Sequence, residues 1–137
     1  MRFMMLMFPA THYEAGTAVP DPKIFEDMNR YNEELQKAGV LLALDGLHPQ
    51  KAGARVRVVD GKKQIVDGPF TEAKEIVGGY WIIQTRTREE ALEWARRVPL
   101  DPGSFVELRQ IFEMSEFPEE IQQIAKPLVE ERSKPKQ

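Results

Sequence analysis

At 137 residues and a net charge of −3, the chain is sized for one domain with a real core, and its 19 basic and 22 acidic residues leave no electrostatic footprint for nucleic acid or an anionic membrane. Hydrophobic residues at 42% and charged residues at 30% fit a globular protein and argue against disorder. The absence of cysteine excludes disulfides, thiolate nucleophiles and cysteine-ligated zinc or iron–sulfur centres.

Residues 2–8 read as a strand that is apolar at both parities. Phe3, Met5 and Met7 lie on one face and Met4, Leu6 and Phe8 on the other. One helical layer covers one face only, so the second face predicts a partner subunit. Pro9 interrupts the run well short of a signal-peptide core or a membrane span, and a cytoplasmic location is expected. A loop over 9–21 carries His12. Asp21 then serves as N-cap and Pro22 as first helical residue of a helix whose apolar stripe is Ile24, Met28, Tyr31, Leu35 and Ala38, with Gly39 as its stop.

Val40 to Leu47 is the next strand, leading into His48-Pro49. Arg55–Val59 and Lys63–Val66 flank Asp60-Gly61 in a hairpin pattern. The turn Asp67-Gly68-Pro69-Phe70 follows, then a short helical or irregular piece from Thr71 to Glu75. Gly78-Gly79 bends the chain into a strand from Tyr80 to Thr85. Thr87-Arg88-Glu89-Glu90 fits a capping box, opening a helix with Ala91, Leu92, Ala95 and Val98 inward and Pro99 closing it. Phe105 to Phe112 is the last strand. A C-terminal helix over Pro118 to Ala125 presents Ile121, Ile124 and Leu128 as its apolar side, and the last five residues fray.

The order strand, helix, strand with an inserted hairpin, strand, helix, strand is that of an α+β, ferredoxin-like antiparallel sheet with two helices on one face. On the last strand, Val106, Leu108 and Phe112 share the helix-facing parity. Glu107 and Arg109 project from the helix-free face with Phe105 and Ile111. Charges enclosed there need partners. A mutual Glu107–Arg109 pair is one reading, and a ligand-binding role is the other.

His48 after a strand end is a candidate proton acceptor near neutral pH, or a loop histidine capping a carbonyl. Asp67 reads as an Asx-type turn residue accepting the Phe70 or Thr71 amide, with Phe70 plugging the core. Its functional version orients His48 or holds Lys74. Tyr80 and Trp81 read as core and interface aromatics. There is no acidic or histidine cluster at metal spacing, no phosphate-cradling glycine loop and no nucleophile elbow, so no cofactor is expected.

The run Asp67-Gly68-Pro69-Phe70-Thr71-Glu72-Ala73-Lys74-Glu75 with Gly78-Gly79-Tyr80 resembles the YCII-related family, in its branch named for the Asp-Gly-Pro-Phe motif. Asp45-Gly46-Leu47-His48-Pro49, Glu90–Ala95 and Val106-Glu107-Leu108-Arg109 carry the resemblance further. It spans about residues 2–113, and a helical tail over 114–137, packed on the domain or on a partner, lies outside it. The resemblance implies a dimeric α/β barrel, in a superfamily that includes small monooxygenases, muconolactone-isomerase-type enzymes and heme-binding dismutases. It implies a His–Asp active site, here His48 with Asp67, and a setting near stress-related sigma factors.

The resulting expectation is a homodimer that binds an unknown small molecule by cofactor-independent acid/base chemistry. His48 and Asp67 would be catalytic, and Arg109, Glu107, Lys74 and Tyr80 would line the site. A non-catalytic regulatory protein, or a heme, flavin or cofactor-free oxygenase, is the alternative.

Overall fold

A computed structural model describes residues 1–10, 21–70 and 75–133. Its elements are β1 (Arg2–Phe8), α1 (Pro22–Lys37), β2 (Leu41–Gly46), β3 (Ala54–Val59), β4 (Lys62–Asp67), β5 (Gly79–Gln84), α2 (Arg88–Arg96), β6 (Phe105–Gln110) and α3 (Glu119–Ser133), with 3-10 turns at Gln50–Ala52 and Met114–Glu116. Four strands form one sheet in the order β2-β5-β1-β6, every neighbour antiparallel, while β3 and β4 form a separate two-stranded hairpin. This is the α+β, ferredoxin-like arrangement that the order of elements predicts.

The core lies on one face of the sheet. Phe3 and Met5 of β1, Trp81 and Ile83 of β5, Tyr31 and Leu35 of α1, and Ala91 and Val98 at α2 form a single buried cluster, so both helices cover the same face. Burying each large apolar side chain there stabilises the fold by about 1.5–3 kcal/mol. Two polar groups enter the cluster satisfied. The Tyr31 hydroxyl donates to the Trp94 carbonyl at 2.7 Å, and Trp81 Nε1 donates to Asn32 Oδ1 at 2.8 Å.

Helix signals read from the sequence hold at α1. Asp21 Oδ1 accepts from the Lys23 amide at 2.9 Å, and Gly39 takes a left-handed φ of 72°. Asp60 at φ 50° and Gly61 at φ 77° close the β3–β4 hairpin. At α2 the capping box is half formed. Thr87 Oγ1 accepts from the Glu90 amide at 3.1 Å, but the Glu90 carboxylate accepts from the Arg86 amide, one residue before the expected one.

Several expected packings differ. Leu92 is exposed, because it sits about 100° round the helix from Ala91, and Trp94 takes the inward place instead. β6 ends at Gln110, so Phe112 leaves the sheet parity and packs against Phe117, the rings tilted by 40° with 5.0 Å between their centres. Phe70 does not plug the core. It is half-buried, with the Arg55 guanidinium 3.9 Å above its ring. Finally, α3 runs past Ala125, through Pro127, to Ser133. Pro127 lacks an amide to donate to Gln123, yet the helix continues on both sides of it.

Candidate functional site

The register of the sheet fixes what its helix-free face presents. Across β2, β5, β1 and β6, Asp45 pairs with Tyr80, Tyr80 with Leu6, and Leu6 with Glu107. One row over, Ala43, Ile82, Met4 and Arg109 are aligned in the same way, and Phe8 meets Phe105 beyond. The face is thus an apolar floor of Met4, Leu6, Phe8, Ile82 and Phe105 with polar groups toward its two edges. Phe8 and Phe105 stack at 4.6 Å with their rings within 10° of parallel.

The polar groups on this face are committed to one another. Arg109 Nη1 lies 3.5 Å from Glu107 Oε2, and the Tyr80 hydroxyl donates to Asp45 Oδ2 at 2.6 Å. That hydrogen bond pushes the Tyr80 phenol above its ordinary pKa, because ionisation would set two anions side by side. Two strand spacings, about 10 Å, separate Tyr80 from Glu107, so the two pairs do not converge on one atom.

His48 is exposed, two residues past the end of β2, and Asp67 is the exposed last residue of β4. No hydrogen bond or ion pair joins them. What holds the Asp67–Phe70 turn is Gln50. The Phe70 amide donates to Gln50 Oε1 at 3.0 Å, and the Gly68 amide to the Gly53 carbonyl at 2.9 Å. The Asx-type acceptance of the Phe70 amide by Asp67 is therefore replaced by a glutamine from the facing 3-10 turn. A β-carbon at residue 68 would overlap the Gln50 carbonyl oxygen, so close approach requires this glycine. Nothing in the residue pattern marks Gln50 for that role. Lys74, His12 and the piece from Thr71 to Lys74 lie outside the described residues.

The opposite side of the sheet carries the hollows. A cleft of about 230 Å³ lies between α1 and the ends of β1, β2 and β5, lined by Met7, Met28, Asn32, Leu44, Asp45 and Trp81 among others. A second, of about 300 Å³, adjoins it and shares Met7 and Met28, with Ile24, Phe25, Pro99 and Ser104 around it. The second is at the lower end of the volumes usual for small-molecule pockets. Both walls are mostly apolar, with Asn32, Asp101 and Ser104 as the polar side chains. Sequence reading placed Met7 and Met28 in the core stripes; that a gap opens between them depends on the separation of α1 from the sheet. Among the described residues no group of histidines and carboxylates could hold a metal ion, and no helix is long and apolar enough to cross a membrane.

Comparison with known proteins places the chain in a family. The profile of the YCII-related domain matches residues 1–115. An uncharacterized protein of Rhizobium meliloti (strain 1021) is 33% identical over 76 residues, which are 56% of this chain and 61% of that protein. The chain thus spans about three fifths of the length of this curated relative.

Proposed function

The chain belongs to the YCII-related family, and within it we propose that it is a homodimer that binds a small organic molecule in the paired clefts around Met7 and Met28. The observation that carries the binding reading is the adjoining hollows themselves, of about 300 and 230 Å³, mostly apolar and edged by a few polar groups. Such a site favours a compact apolar or aromatic ligand with one or two polar substituents. Dimerisation is supported by the helix-free face, where Met4, Leu6, Phe8, Ile82 and Phe105 stay partly exposed on an uncovered sheet.

Binding without turnover fits the polar groups better than acid/base chemistry does. Glu107 is paired with Arg109 and Tyr80 with Asp45, while His48 and Asp67 share no bond. The test is ligand-induced thermal stabilisation over a library of small carbonyl and aromatic compounds. Compounds that stabilise the wild type are expected to lose their effect in Met28→Trp, which fills the shared space, and keep it in Arg109→Ala, His48→Ala and Asp67→Ala. Loss in Arg109→Ala with retention in Met28→Trp would move the site to the helix-free face and overturn the cleft reading. Light scattering is expected to give a dimer for wild type and a monomer for Leu6→Arg.

A further inference from the structure

Trp81 carries its indole nitrogen into the core, and that placement decides how a neighbouring side chain meets the cleft. Trp81 is only 5% exposed, so its N–H needs an internal acceptor. It finds Asn32 Oδ1 of α1 at 2.8 Å. An indole N–H only donates, so the atom turned toward it is the amide oxygen, and the amide nitrogen is turned away. Asn32 Nδ2 has no partner among the described residues, where no buried side-chain nitrogen or oxygen is left unpaired, so Nδ2 is open to solvent. Asn32 lines the cleft of about 230 Å³. The hollow beside it is made by missing side chains. Met7 pairs with Gly79 and Gly79 with Gly46, so this row crosses three strands on the helix side of the sheet. All three residues line the cleft, and two of them are glycine. A β-carbon at 46 would meet nothing within 4 Å, so packing within the chain does not demand that glycine. A donor of fixed orientation thus borders an open, apolar floor.

We propose that Asn32 is the specificity-determining donor of this cleft, and that the ligand is a compact, neutral molecule whose carbonyl oxygen accepts a hydrogen bond from Asn32 Nδ2. Its apolar body lies over the Gly46–Gly79 floor, between Met7 and Met28. This rests on the cleft as the binding site and names the chemistry of what it holds. Charge selects a neutral ligand. No residue lining either hollow is basic. The Asp45 carboxylate is engaged by the Tyr80 hydroxyl on the other face of the sheet, and Asp101 borders the adjoining hollow. An anion entering here would lose its water without gaining a counter-charge, and would meet Asp101 nearby. An amine would face the amide hydrogens of Asn32 and find no acceptor in that group, because Oδ1 is already taken by Trp81. A ketone, ester, lactone or amide oxygen meets the donor without either cost. A donor held in place by Trp81 rejects an analogue that lacks the oxygen, because its amide hydrogens would then lose water and gain no partner.

Acetophenone, toluene, benzoate and benzylamine share a ring and differ in the polar group, so they compare a neutral acceptor with no polar group, an anion and a cation. Each is titrated into the full-length protein and followed by proton–nitrogen NMR correlation spectra. Acetophenone is expected to bind at least fivefold tighter than the other three and to move the Asn32 side-chain amide signals, which toluene leaves in place. Asn32→Asp keeps an oxygen for the Trp81 indole and exchanges the donor for an acceptor. In it the advantage of acetophenone over toluene should vanish and benzylamine should gain, with the Trp81 indole signal unmoved. Gly46→Leu fills the floor and should weaken acetophenone and toluene alike. Equal binding of acetophenone and toluene by wild type, both lost in Gly46→Leu, would overturn the role of Asn32 and leave the cleft as the site. Binding indifferent to both Gly46→Leu and Met28→Trp would remove the cleft, and Asn32 with it. Tighter binding of benzoate or benzylamine by wild type would overturn the neutral-carbonyl assignment, as would no binding of acetophenone at millimolar concentration. Asn32 amide signals unmoved at saturating acetophenone would overturn it without recourse to any variant.

Discussion

Tyr80 and Asp45 sit opposite each other in the β5–β2 register, and the phenol donates its proton to the carboxylate at 2.6 Å. The pairing ties the edge strand to the sheet on the side away from the helices. It also defines how this tyrosine titrates. Because the phenol's folded pKa is raised, its contribution to stability is complete below the ordinary tyrosine range near ~10 and is lost as pH rises through the folded value. Absorbance titration of tyrosinate, differenced against Tyr80→Phe, is expected to place this phenol above that range. In Asp45→Ala the phenol should return toward it. An identical titration in the two backgrounds would mean that the hydrogen bond does not persist in solution.

Gly68 and Gly46 separate a packing requirement from simple tolerance. A β-carbon at 68 meets the Gln50 carbonyl, whereas one at 46 meets nothing within 4 Å. Gly68→Ala must therefore push the turn off the Gln50–Ala52 segment, and it is expected to cost about 1–3 kcal/mol, as overpacking does. Gly46→Ala should stay within ~0.5 kcal/mol of wild type. Urea unfolding of both variants checks this. A near-neutral Gly68→Ala would show that the two segments are not docked as described.

Helix starts, the hairpin and the buried stripe of α1 were legible because each rests on local chemistry. Asp21 and Pro22 set a cap, Asp60-Gly61 sets left-handed backbone, and Tyr31 and Leu35 follow the helical period. The ferredoxin-like antiparallel sheet followed from the sequence of elements. What stayed hidden depends on contacts distant in the chain. Gln50 takes the Phe70 amide across 20 residues, and Trp81 finds Asn32 across 49. Phe112 misled because strand parity stops carrying information once β6 ends at Gln110. At the candidate site, the Glu107–Arg109 pairing was among the readings of the strand, since residues two apart on one strand share a face. The clefts were not legible, because Met7 and Met28 look the same in sequence whether the space between them is filled or open.

Tyr31 is the buried hinge between α1 and α2. Its hydroxyl donates to the Trp94 carbonyl, and its ring meets Trp81 edge-on at 5.9 Å between centroids. Burial first, then the neighbouring Glu34 charge, pushes its phenol far above the ordinary range, partly opposed by Arg97. Ionising it requires loosening the core, so its stabilisation is intact below the ordinary phenol pKa and declines as pH climbs above it. Tyr31→Phe keeps the ring and removes the bond, leaving the Trp94 carbonyl with the Arg97 amide alone. The expected loss is about 1–2 kcal/mol at neutral pH, with a shallower decline in stability in alkali than wild type. Thermal melts at pH 7 and above pH 10 provide the measurement, and parallel pH dependences in the two proteins would remove Tyr31 from the alkaline transition.

Arg2 and Glu113 bring the first strand to the segment that leads into α3. Arg2 Nε lies 2.7 Å from Glu113 Oε1 and Nη2 3.1 Å from Oε2, a two-pronged contact over 111 residues of sequence. The hydrogen bond to the guanidinium, more than the simple attraction of the charges, holds the Glu113 carboxyl below its ordinary pKa. A depressed folded pKa means that the stabilisation is present above the ordinary glutamate range and is lost as pH falls through the folded value. Both side chains are more than a third exposed, so salt should weaken the contact. The consequence is local rather than global. With the pair broken, the 3-10 turn Met114–Glu116 and the packed rings of Phe112 and Phe117 lose their side-chain tie to β1, and the start of α3 becomes freer to swing. Hydrogen exchange at residues 114–117 is expected to quicken at least severalfold in Glu113→Gln at pH 7, while the amides of β1 and β5 keep wild-type protection. Wild-type protein, with exchange rates corrected for pH, should approach the variant's behaviour in acid. Equal corrected rates in the two proteins at neutral pH would show that the ion pair does not anchor this segment.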